Sequence, residues 1–128
     1  MINIQKQIDY WVRGAEDDIV TAKLLIENNR LLHGLFFCHL VMEKIIKAHV
    51  VKTSAEIAPR SHNLMFLLQK ANIELSEEDE IFLGVLMKYQ LEGRYPDYSP
   101  IIPGRDTVEI YLKETQKLLS CLRKKLLH

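Results

Sequence analysis

The sequence predicts an all-α fold, a four- to five-helix up-and-down bundle whose first, second and last helices are long. Three observations predict it. Apolar residues recur at spacings of three and four along most of the chain. No segment alternates apolar and polar residues between turn signals as a half-buried strand does. Caps and breakers divide the periodic stretches into pieces of helical length. The 128 residues are read as a single domain, residues 1–128, large enough to bury a core without disulfides or a structural metal.

The first helix is read from Ile8, with Trp11, Val12, Ala15, Ile19, Ala22, Leu25 and Ile26 forming its apolar stripe. Asp9, Arg13, Glu16, Asp17, Lys23 and Glu27 lie between them as a solvated face, and Asn28-Asn29 closes the helix. A second helix runs from about Leu32 to Lys52 and is apolar nearly all round, which makes it central to the bundle or covered by a partner. Pro59 keeps the next segment out of helix, and Ser61 is expected to cap a short helix ending near Ala71. Ser76-Glu77-Glu78-Asp79 resembles a capping box and opens a fourth helix with Ile81, Phe82, Val85, Leu86 and Tyr89. Leu91 to Gly104 holds three prolines and two glycines, a long stiffened loop. Asp106-Thr107-Val108-Glu109 is expected to cap the last helix, whose inner side carries Val108, Tyr111, Leu112, Thr115, Leu118, Leu119, Leu122 and Leu126.

Composition limits the function classes. With 17 Lys+Arg against 17 Asp+Glu the formal net charge is zero, which excludes a histone-like coat and argues against extended nucleic acid as a partner. A hydrophobic content of 48% and a charged content of 27% are ordinary for a globular protein. The most apolar run, Leu35 to Met42, is far shorter than the roughly 20 residues of a membrane span and contains His39. The N-terminal residues lack the pattern of a signal peptide. A cytoplasmic setting without membrane association is therefore expected, with Cys38 and Cys121 as reduced, largely buried thiols.

Three constellations could carry chemistry. His39, Glu43 and Lys47 are spaced i, i+4 and i+8 on the second helix, and Lys44 lies further round. They read either as a polar wall with a proton-exchanging histidine or as a Glu–Lys pair that solubilises an exposed strip. Arg60-Ser61-His62-Asn63 precedes a helix N-terminus, where free N–H groups favour an anion; a plain cap with a surface histidine is the alternative. In Glu92-Gly93-Arg94-Tyr95-Pro96-Asp97-Tyr98, Arg94 either clamps an anion bidentately or pairs internally with Asp97 or Glu92. His33 and His49 read as surface or partly buried residues. No paired ligand spacing appears, so no metal and no cofactor are expected.

Together, the pieces Trp11-Val12-Arg13-Gly14-Ala15-Glu16-Asp17-Asp18, Ala22-Lys23-Leu24-Leu25, His39 to Ala48, Arg60-Ser61-His62-Asn63-Leu64 and Glu92-Gly93-Arg94-Tyr95-Pro96-Asp97 resemble the HEPN family in order and spacing. The resemblance implies a helical bundle that commonly dimerises through its long helices. It also implies a neighbour, since members often stand beside a minimal nucleotidyltransferase or serve as toxins or antitoxins. Others are metal-independent ribonucleases with an Arg followed, after four to six residues, by a His before the last helix. Counting from Arg94, that His falls on Ser99, Pro100 or Ile101, so the ribonuclease motif is missing there. Arg123 to His128 fits the spacing formally at the end of the chain and is read as coincidence.

The expected function is thus a non-catalytic HEPN protein, homodimeric, pairing with a minimal nucleotidyltransferase or binding a nucleotide-like anion. Its expected ligand-facing set is His39, Glu43, Lys47, His62, Arg94 and Asp97, with Lys44 and Arg60 adding local positive charge. Two other readings stand beside it: a ribonuclease using His39 or His62 with Arg94, and a purely structural role for the same residues.

Overall fold

The computed structural model describes residues 2–127, which form five helices: α1 (Ile4–Glu27), α2 (Leu31–Ser54), α3 (Leu64–Ala71), α4 (Glu77–Met87) and α5 (Arg105–Lys125). No strand occurs among the described residues. The all-α expectation holds. α2 is the central element and touches each of the other four, with α1 as its most extensive neighbour. Fourteen of its residues are buried, from Gly34 through Val51, as an apolar circumference requires. Around it, the inner stripes of α1 and α5 supply Ala15, Ala22, Ile26, Val108, Leu112, Leu118 and Leu122 to one continuous core. No helix is long and apolar enough to cross a membrane.

The helix starts depart from expectation in instructive ways. α1 begins at Ile4, because Asn3 Oδ1 accepts the N–H of Lys6 at 3.0 Å and stabilises a first turn with too little apolar content to join the periodic stripe. Asn63, and not Ser61, caps α3: its Oδ1 accepts the N–H groups of Met65 and Phe66 at 3.0 and 3.1 Å. Ser61 Oγ instead accepts from Asn63 N at 3.1 Å. The cause is long-range, since the His62 carbonyl is held outside the helix by His39 on α2. α5 starts at Arg105 with Gly104 as its N-cap and no side-chain cap bond, so Asp106 lies inside the first turn, where its charge complements the helix dipole. Ser76 caps α4 as expected, accepting from Asp79 N at 3.2 Å.

α1 and α2 approach closely at Gly34. A Cβ there would lie 2.4 Å from Ile26 Cγ1 and 3.4 Å from the Ala22 carbonyl. Ile26 is fully buried, so it has little room to yield. Gly84, inside α4, faces open space. Urea denaturation is expected to show Gly34→Ala losing about 1–3 kcal/mol through overpacking. Gly84→Ala, by contrast, is expected to gain up to about 1 kcal/mol from helix propensity.

Candidate functional site

The His39-Glu43-Lys47 strip does not solubilise an exposed face. The three side chains are buried against α1 and the α2–α3 connection, with exposures of 0%, 4% and 5%. Lys47 Nζ donates to Glu43 Oε2 at 2.9 Å and sits 5.0 Å from the centroid of the Trp11 ring on α1. His62 Nδ1 donates to the other carboxylate oxygen, Glu43 Oε1, at 2.9 Å. Glu43 therefore has a partner on each oxygen, one from its own helix and one from the connection to α3. A carboxylate withdrawn from water needs such pairing, because leaving it unpaired costs several kcal/mol.

His39 works from behind. A carbonyl only accepts, so the 3.0 Å contact between His39 Nε2 and the His62 carbonyl places the ring proton on Nε2. Its Nδ1 is left as a bare lone pair, buried, 3.8 Å from Glu43 Oε1. Burial holds the His39 pKa below its ordinary value of 6.5, with the nearby Glu43 carboxylate opposing that shift. His39 orients His62 and touches no solvent. His62, by contrast, keeps 45% of its side chain exposed, and its Nε2 faces Glu92 Oε2 at 3.4 Å on the α4–α5 loop.

Arg94 is occupied by its own loop. Its Nε donates to the Gln90 carbonyl at 3.0 Å, an Nη reaches the Met87 carbonyl at 3.4 Å, and its guanidinium lies 4.3 Å from the Tyr98 ring centroid. Tyr98 in turn donates its hydroxyl proton to the Lys88 carbonyl. Arg94 thus fastens the loop to the end of α4, through carbonyls and an aromatic face in place of the expected carboxylates. Asp97 is exposed. The structure therefore gathers His39, Glu43, Lys47 and His62 into one network, reaches Glu92 at its edge, and leaves Arg94 in a separate set of bonds.

Several residues singled out in the sequence have partners that the sequence did not indicate. Lys44 pairs with Asp18 of α1 at 2.6 Å, crossing above Gly14, where a Cβ would come within 3.0 Å of Lys44 Cδ. Glycine in the middle of a long helix is the one hint of that crossing. Glu92 meets His62, and Tyr98 meets Arg94, through the long loop, which no periodicity describes. Of the other ionisable groups, His33 is exposed, and Cys121 is exposed on α5 in contrast to the buried position expected. Cys38 is buried, and desolvation pushes its thiol to about 11. His49 is buried, with Nε2 donating to the Leu122 carbonyl at 2.7 Å, and burial lowers its pKa. His128 lies outside the described residues. Among the described residues, no three His, Cys, Asp or Glu side chains come together as metal ligands.

The HEPN domain family model matches residues 8–125. The chain belongs to the HEPN family. That match spans all five helices from the second turn of α1 to the end of α5, so the quoted pieces and the fold agree over nearly the whole length. The crystal structure of TT1696 from Thermus thermophilus shares this fold, with a TM-score of 0.75. It is 21% identical, and the alignment covers 93% of this HEPN chain and 98% of that one. None of the curated proteins matches the sequence.

Two outcomes follow from the network. Lys47→Met removes one counter-charge from a buried carboxylate and is expected to lower unfolding free energy by about 3–5 kcal/mol in denaturant titration. His39 and His49 both have folded pKa values below 6.5, so the unfolded chain binds more protons between those values and 6.5. Their contribution is complete above the unfolded value and is lost as pH falls through it toward the folded values. The midpoint of thermal unfolding should therefore drop on acidification below about pH 6.5, and His49→Gln should flatten that slope.

Proposed function

We propose that this HEPN protein acts by binding and not by catalysis, forming a homodimer that pairs with a minimal nucleotidyltransferase in a toxin–antitoxin-type module. The observation that carries the reading is the engagement of Arg94. The loop that bears the catalytic pair in ribonuclease members holds an arginine bonded to its own backbone, with no histidine at the required spacing after it. The buried network supports the same reading, since Lys47 and His62 are both bonded to Glu43 and Lys44 to Asp18. Three of the expected anion-binding cations, Lys44, Lys47 and Arg94, thus have partners within the chain. A nucleotide-like anion fits less well for that reason and would have to engage the exposed Arg60 and the outer edge of His62.

One observation favours a second reading. Glu43 holds Nδ1 of the half-exposed His62, and Nε2 faces only the exposed Glu92 at the surface, an arrangement that suits proton transfer once Glu92 moves aside. His39, being fully buried, is excluded from that role, so a ribonuclease would have to rely on His62 alone.

Co-expression with neighbouring genes tests the first reading. The tagged protein should elute as a dimer and bring down a minimal nucleotidyltransferase in stoichiometric amount; a monomer that brings down none contradicts it. RNA incubated with the purified protein in chelator should remain intact. Cleavage that disappears in His62→Ala would instead establish the enzyme reading.

A further inference from the structure

His62 has carboxylates at both ring nitrogens: Glu43 Oε1 at 2.9 Å from Nδ1 and Glu92 Oε2 at 3.4 Å from Nε2. Carboxylates accept and do not donate, so both contacts are attractive only when the ring carries two protons. A neutral imidazole has one N–H, and its other nitrogen presents a lone pair to an anion. We infer that His62 is a proton-operated clasp joining the α2–α3 connection to the loop 91–104. The clasp is closed when both nitrogens are protonated and open when the Nε2 proton has passed to solvent.

The surroundings decide which side lets go. Glu43 has a side chain 5% exposed and cannot be rehydrated, whereas that of Glu92 is 57% exposed and regains water at little cost. The remaining proton therefore stays on Nδ1, toward Glu43. From α2, Lys47 is bonded to the far oxygen of that carboxylate and balances its charge in both states. His39 bonds the His62 carbonyl and pins the backbone, so that ring orientation does not depend on the Nε2 proton. From the loop, Glu92 is the charged group facing the ring, while Arg94 is directed toward the carbonyls of Gln90 and Met87. Opening removes one of two ties on the start of the loop, the one beside the turn at Gly93, where φ is +72°, while Arg94 keeps its bonds to Gln90 and Met87. The inference concerns the clasp itself and does not depend on the proposed partner.

Amide hydrogen exchange on the whole protein tests it, as protection factors corrected for intrinsic rates at pH 5.5 and pH 8. Both partners are partly exposed, so the expected effect is modest: protection of the Tyr98 amide, which donates to the Tyr95 carbonyl at 2.9 Å within the same loop, should fall about two- to fivefold at the higher pH. Glu92→Gln should abolish that difference, because a neutral amide can accept from Nε2–H or donate to bare Nε2. Ring nitrogen NMR provides the second readout and should show Nε2 losing its proton while Nδ1 keeps its own. Unchanged protection in the parent, the same fall in Glu92→Gln, or deprotonation at Nδ1 first would each overturn the clasp.

Discussion

A carboxylate buried on the central helix organises this molecule. Glu43 sits almost out of reach of water among the apolar residues of α2, and such a charge persists only where it is paired and hydrogen-bonded. Lys47 neutralises it from one turn along, while packing above Trp11 of α1. His62 reaches it from outside the helix and so fixes where the connection to α3 must run. His39 then holds the backbone of His62, and that restraint moves the cap of α3 from Ser61 to Asn63. One buried charge thereby determines the entry to the next helix, which begins at Leu64. An apolar residue at position 43 would fill the same space without that demand for partners, which is why the network reads as a device for geometry more than for stability.

The same kind of pairing occupies other cations of the chain. A neutral chain of 17 positive and 17 negative residues has cations available for ligands only where the fold leaves them unpaired. Here Lys44 lies on Asp18, Lys47 on Glu43, and Arg94 on backbone carbonyls and Tyr98. These groups bind the parts of the bundle to one another. The loop 91–104 is correspondingly fastened at its start, yet it presents Tyr95 and Ile101 to solvent at 84% and 90% exposure.

The helices were legible in the sequence because their periodicity is local. The stripe of α5 appears almost residue for residue on the buried side, that of α1 is buried at Ala15, Ala22 and Ile26 and half-buried elsewhere, and the greasy circumference of α2 correctly marks it as central. The family was legible too, from short pieces in the right order. Less visible was everything set by long-range contact. Burial of the His39-Glu43-Lys47 strip depends on Trp11 and His62 arriving from elsewhere, and i,i+4 spacing describes an exposed pair equally well. The cap of α3 depends on His39, 24 positions upstream of Asn63. Arg94 finds carbonyl partners because the end of α4 unwinds beside it, and residue type alone favoured carboxylates.

The central claim is that Glu43 and His62 act as one unit joining α2 to the connection before α3. A double-mutant cycle measures it most directly, using Glu43→Gln, His62→Gln and the combined variant in equilibrium unfolding above pH 7. A coupling energy of about 1 kcal/mol or more is expected between these two residues 19 positions apart. Additivity within about 0.3 kcal/mol would mean that the two side chains are merely neighbours, and would contradict it.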